Sequence, residues 1–225
     1  MSALARTATS KPQAPRGQTR RLGAPERREQ LVATAQKLFG DRGYRATTME
    51  HIANAAGVTK PLLYQHFASK RALYLELVQQ VSNELLEALK SAYRRASGPR
   101  EMVENGYRAY FELIVTHEDA FRLLFGRQAP DDPELSSAAH EVETAVLDVI
   151  EKTMPDDLAP EHRRLLAYSV VGMAEGGTRF WVESVKNDAS ARGRGRTITS
   201  PEDVRILARR VSRVAWAGLR AIQDD

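Results

Sequence analysis

Residues 47–67 read TTMEHIANAAGVTKPLLYQHF. Met49, Ile52, Ala53 and Ala56 fall at i, i+3, i+4 and i+7, which places four apolar side chains on one face of a short helix. Thr47, with Glu50 three residues on, gives a capping-box pattern at its start. Gly57 ends the helix, because glycine tolerates the left-handed conformation of a tight stop. Val58 plugs the corner. Thr59 is a second N-cap candidate, and Pro61 sits in a first turn, where its missing N–H is harmless. Leu63 and Phe67, four apart, face inward. Lys60, Leu62, Tyr64, Gln65 and His66 face out. Two short helices with a glycine turn between them, the second carrying hydrogen-bond donors and one apolar tip, read as a helix-turn-helix. The second helix of such a unit enters a DNA major groove.

The flanking segments extend the unit. Pro25 opens a helix in which Leu31, Ala35, Leu38 and Phe39 form an apolar stripe, with Arg27, Arg28 and Glu29 on the other face. Gly40 to Gly43 end it, and Tyr44 packs back onto the small domain. Three helices in about 45 residues are marginal alone, so the unit should lean on the chain beyond it. Ser69 caps a long helix with Leu73, Leu77, Val81, Leu85 and Leu89 in one row, running to about Ala96. At 1.5 Å per residue such a helix, on the order of 40 Å long, can join two domains.

Charge is divided along the chain. Residues 1–75 hold 13 Lys/Arg against 4 Asp/Glu, whereas the remaining residues carry a net −5 within an overall +4. A basic end on an acidic body suggests that one end meets a polyanion. Residues 1–24 lack apolar periodicity and contain no acid, and are expected to form a disordered basic tail. That tail either holds phosphates or is simply solvated. With no cysteine, disulfides, thiolate metal sites and cysteine nucleophiles are excluded together, which fits a reducing cytoplasm. No apolar run is long enough for a membrane span, and no secretory leader is expected.

Residues 25–75 resemble the DNA-binding domain of the TetR family of bacterial repressors. The residues that carry the resemblance are Leu38-Phe39, Gly43-Tyr44, Thr47-Thr48 before Ile52-Ala53, and Gly57-Val58-Thr59-Lys60. Leu63-Tyr64, His66-Phe67 and Ser69-Lys70 followed by Leu73 complete it. By matching position, the resemblance implies that Lys60, Pro61, Leu62 and Gln65 read bases. Lys pairs best with guanine, Gln with adenine, and an apolar tip with the thymine methyl. Thr48, Thr59, Tyr64, His66 and Lys70 are implied as phosphate contacts, which set register, with Tyr44 a further one. The plain alternatives are that Leu62 belongs to the core and that His66 is solvated.

Beyond Pro99 every segment reads as helix: about 100–116, 118–125, 133–154, 160–186 and 201 to the end, with loops at 129–133 and 188–199. Ser200-Pro201-Glu202-Asp203 caps the last. The fold class is all-α. Three domains are expected: the tail over 1–24, a helix-turn-helix domain over 25–69, and a helical effector-binding and dimerisation domain over 70–225. A ligand pocket should lie between Arg100 and Lys186, lined from Tyr107, Tyr110, Phe111, Phe121, Phe125, Tyr168, Phe180 and Trp181. An aromatic at helical spacing is equally at home in plain core. Glu175 either meets a cationic ligand or pairs with Arg179 one turn on. Gly172, Gly176 and Gly177 allow close helix approach, either between two subunits or inside one.

The resemblance implies a homodimer through the last two helices on a palindromic operator, released by a small apolar or aromatic effector through a population shift. No cofactor is expected. His51, His66, His117, His140 and His162 lack metal-ligand spacing, and Ser137 and Ser169 lack a nucleophile-elbow context, so no enzyme is expected. The rival reading is an effector-independent, nucleoid-type DNA binder.

Overall fold

The computed structural model describes residues 23–117, 133–190 and 200–221, without the side chains of 133, 134 and 185–190. The expected basic tail, apart from Gly23 and Ala24, and the expected helix at 118–125 with its Phe121 and Phe125 lie outside the described residues. So does most of the 188–199 loop.

Helix α1 (Ala24–Arg42) ends within the expected Gly40 to Gly43 stretch, at Gly43, where φ is 82°. Two adjacent threonines then divide the work of two helix ends. Thr47 is fully buried, and its hydroxyl bonds back to the carbonyls of Gly43 (2.9 Å) and Leu38 (3.2 Å). Thr48, not Thr47, caps α2 (Met49–Ala55), its Oγ1 accepting from the His51 N–H at 3.1 Å. The expected Thr47–Glu50 capping box is therefore replaced by a Thr48–His51 pair, because the end of α1 claims the first hydroxyl. Gly57 has φ 66°, and a Cβ added there would meet no atom within 4 Å, so backbone conformation and not space requires glycine. Thr59 precedes α3 (Lys60–His66) without a side-chain capping bond.

The small core joins Leu31, Ala35 and Phe39 of α1 to Ile52 and Ala53 of α2 and Leu63 of α3, with Phe67 just after it. It is completed by Leu73, Tyr74 and Leu77 of α4 (Lys70–Arg94), so the unit leans on the fourth helix as expected. Phe39, Tyr44 and Tyr74 form an aromatic triangle with centroids 5.1–6.0 Å apart. Ser69 caps α4, accepting from the Ala72 N–H at 3.0 Å.

The body contains α5 (Pro99–Thr116), α6 (Pro133–Glu151), α7 (Pro160–Ser190) and α8 (Pro201–Leu219). Helix α7 is a turn longer than the periodicity suggests. Helix α5 packs between α4 and α8; α6 lies on α4 and α7; α7 and α8 are neighbours. Ser200 opens α8 by accepting from the Asp203 N–H at 3.1 Å. Among the described residues all regular structure is helical, so the fold is all-α with an N-terminal helix-turn-helix.

Candidate nucleic-acid interface and ligand cavity

The outward face of α3 is available. Thr59, Lys60, Pro61, Tyr64 and Gln65 are exposed, while Leu62 and His66 are half-buried. Thr48 is exposed at the start of α2, and its capping bond uses the oxygen as acceptor, leaving the hydroxyl hydrogen to donate. Lys70 is placed differently from a free surface cation. Its Nζ donates to the carbonyls of Tyr44 (2.8 Å) and Thr47 (2.9 Å) and lies 4.2 Å from the Tyr44 ring centroid. Burial holds its pKa below the ordinary lysine value. Lys70 thus fastens the first turn of α4 to the loop before α2, with one ammonium hydrogen left for a phosphate.

Arg28 is half-buried on α1, and its exposed head is engaged by its neighbours. Its guanidinium donates to the His66 carbonyl at 2.8 Å, pairs with Glu76 at 3.1 Å, and lies 4.3 Å from the Phe67 ring centroid. One side chain therefore ties α1 to the end of α3 and to α4. The sequence does carry a signal for this. Arg28 stands three before Leu31 and seven before Ala35, one turn along the apolar stripe.

A cavity of about 790 Å³ opens in the body. Its walls come from Leu89 and Tyr93 at the end of α4, Met102, Val103, Tyr107 and Tyr110 of α5, and Val146 and Ile150 of α6. Leu166, Val170 and Ala174 of α7 and Trp216 and Leu219 of α8 close it. Asp156, Asp157 and Arg220 are the charged lining residues, all at exposed positions. The size and apolar walls fit a small-molecule site, for which about 300–1,000 Å³ is usual.

The expected pocket residues divide. Tyr107 and Tyr110 line the cavity, with Tyr107 Oη donating to the Val170 carbonyl at 2.9 Å. Burial pushes both phenols far up in pKa, so they remain neutral. Phe111 and Trp181 are instead buried outside the cavity lining. Phe111 stacks with Tyr107 and packs edge-on against Tyr110. Tyr168 and Phe180 face outward on α7. Glu175 does not line the cavity; it lies 3.9 Å from Arg179, and burial, then Glu143, raise its pKa. Helical spacing identifies an inward ring, but whether it meets a void or another ring depends on how the helices cross. The α4 and α8 contributions fall outside the expected 100–186 window for the same reason. Among the described residues no three His, Asp or Glu groups gather as a metal site, and no helix is long and apolar enough to cross a membrane.

Comparison with known proteins agrees with this architecture. The family model for bacterial regulatory proteins of the tetR family matches residues 31–77. The transcriptional activator FasR of Mycolicibacterium smegmatis is 33% identical over 202 residues, covering 86% of this chain and 92% of its own. The transcriptional repressor KstR2 of Mycobacterium tuberculosis is 35% identical over 91 residues, 40% of this chain and 46% of its own. The transcriptional regulator FadR from Bacillus subtilis, solved in complex with stearoyl-CoA, shares the fold at TM-score 0.68 and 16% identity, over 84% of this chain and 98% of its own. The match to FasR over nearly the full length, with the helix-turn-helix in place, makes this chain a member of the TetR family of bacterial transcriptional regulators.

Proposed function

We propose that the protein is a homodimeric regulator that binds a palindromic operator and releases it when a ligand with a long apolar body fills the cavity of its C-terminal domain. The observation that carries this reading is the placement of α4. Its C-terminal end supplies Leu89 and Tyr93 to the cavity, and its first residue, Lys70, holds the loop before α2. A ligand that shifts α4 therefore shifts the reading head, which is how a binding free energy becomes a change in DNA affinity. The FadR complex with stearoyl-CoA supports an acyl chain as the kind of apolar body such a fold accepts.

In this reading Lys60, Pro61, Leu62 and Gln65 contact bases, and Thr48, Thr59, Tyr64, His66 and Lys70 contact phosphates. Dimerisation uses α7 and α8. Leu165, Tyr168 and Phe180 are exposed on α7, and Val214 is 67% exposed on α8. Gly172 and Gly176 share the stripe of Leu165 and Phe180, and their missing Cβ atoms would meet nothing within 4 Å. A second copy fits this face because two-fold pairing sets two α3 helices at neighbouring major grooves, roughly 34 Å apart. The protein acts at the nucleoid in the bacterial cytoplasm.

Repression is the primary reading, with the operator overlapping a promoter. Activation is the second reading, favoured by the match to FasR over most of the chain. Transcript levels next to the bound sites separate them: deleting the gene raises those transcripts if the protein represses and lowers them if it activates. Genome-wide mapping of bound DNA tests regulation itself. A few palindromic sites support it; weak binding spread along the chromosome would point instead to a nucleoid-type protein.

A further inference from the structure

Most polar groups facing the cavity already have partners. The Tyr107 hydroxyl donates to Val170 (2.9 Å), the Tyr110 hydroxyl shares a bond with Thr178 (3.1 Å), and the Thr153 hydroxyl donates to Ile150 (2.6 Å). Asp156 is paired with Arg163 at 3.2 Å. Asp157 and Arg220 are exposed, so water serves them. Tyr93 differs. Its ring lies against Gly106 of α5, where an added Cβ would come within 2.9 Å of the ring and 3.0 Å of the hydroxyl oxygen. Among the described residues none exchanges a hydrogen bond with that hydroxyl. Burial pushes its pKa up to about 12, so it is a neutral O–H donor at physiological pH.

Tyr93 also occupies the last turn of α4, one rigid helix away from Lys70, roughly 35 Å at 1.5 Å per residue. An oxygen bonded there holds the cavity end of the helix that carries the reading head. A carboxylate would suit the position poorly, since the surrounding walls are apolar and a charge buried there would lose its hydration.

We propose that the Tyr93 hydroxyl is the polar recognition point of the cavity, and that the effector presents to it an uncharged hydrogen-bond acceptor, such as a carbonyl oxygen, on an apolar body. This rests on the cavity being the effector site. It makes Tyr93 a specificity residue, selecting among apolar ligands of equal length by one oxygen.

The test titrates the full chain with 2-decanone and with n-decane, following the change in tryptophan fluorescence, to which Trp216 in the cavity wall contributes beside the buried Trp181. Tyr93→Phe keeps the ring and removes no bond within the protein, so it should fold. The loss of one neutral hydrogen bond predicts a five- to tenfold weaker affinity, on the order of one decade, for 2-decanone in Tyr93→Phe. n-Decane should bind wild type and variant within about twofold of each other. Gly106→Ala, which pushes the ring aside, should also weaken 2-decanone more than n-decane. Equal affinity of Tyr93→Phe and wild type for 2-decanone, or equal losses for both probes, would overturn the role of Tyr93 while leaving the cavity as a ligand site. Failure of wild type to bind either probe would overturn the cavity reading and this inference with it.

Discussion

Lys70 joins the fourth helix to the loop before the second through two hydrogen bonds to carbonyls. Its loss should therefore register in folding as well as in DNA binding. Lys70→Met is expected to lower stability by about 1–3 kcal/mol, the usual range for stranding such acceptors, read as a lower denaturant midpoint. A residue that only touched phosphate would leave that midpoint unchanged. Glu175 makes the opposite case. Its carboxyl is raised in pKa by burial and by Glu143, so the folded state binds its proton more tightly than the unfolded state does. Stability is then full below the ordinary value of 4.5 and falls as pH rises through the higher folded-state value. Glu175→Gln should melt above wild type at pH 7, with the difference vanishing below pH 4.5. The Glu175–Arg179 pair was legible from its one-turn spacing, but the tie made by Lys70 was not. Lys70 read as a phosphate contact because its position matches one, and its reach to two carbonyls depends on where the chain turns at Gly43 and Thr47.

At the scale of the helices, periodicity was a good guide. The recognition unit, the long fourth helix and the capped last helix all lie where apolar spacing and cap residues place them, within a few residues at their ends. The glycines of α7 show the limit. Gly172, Gly176 and Gly177 look alike in sequence, yet a Cβ on Gly177 would stand 2.6 Å from Phe111 Cζ, whereas the other two face open space. Gly177→Ala should destabilise the α5–α7 joint by about 1–3 kcal/mol, the usual range for overpacking, in thermal melting of the protein. Gly176→Leu should leave the fold of each subunit intact and weaken self-association in sedimentation. Unaltered self-association would remove this stripe from the subunit interface. Whether a small residue serves its own core or a partner depends on helix rotation, and the three glycines are too close in sequence for spacing to separate them.

For the whole molecule, the charge division and the order of the helices already suggested a basic reader on a ligand-sensing body. The cavity itself was only half legible. Its aromatic α5 face was visible in Tyr107 and Tyr110, but its closure by Tyr93 from one side and Trp216 from the other joins residues more than 120 positions apart. That closure brings α4 to the cavity at one end while its other end packs into the helix-turn-helix core. The most direct measurement is fluorescence anisotropy of the full chain on DNA from upstream of its own coding sequence, at several salt concentrations, with and without saturating stearoyl-CoA. Without ligand, affinity should fall with salt by a logarithmic slope of about 0.9 per phosphate contacted. With ligand bound, affinity should drop at least tenfold, a coupling of roughly 1.4 kcal/mol. DNA affinity that stays unchanged while the ligand demonstrably occupies the protein would contradict the account.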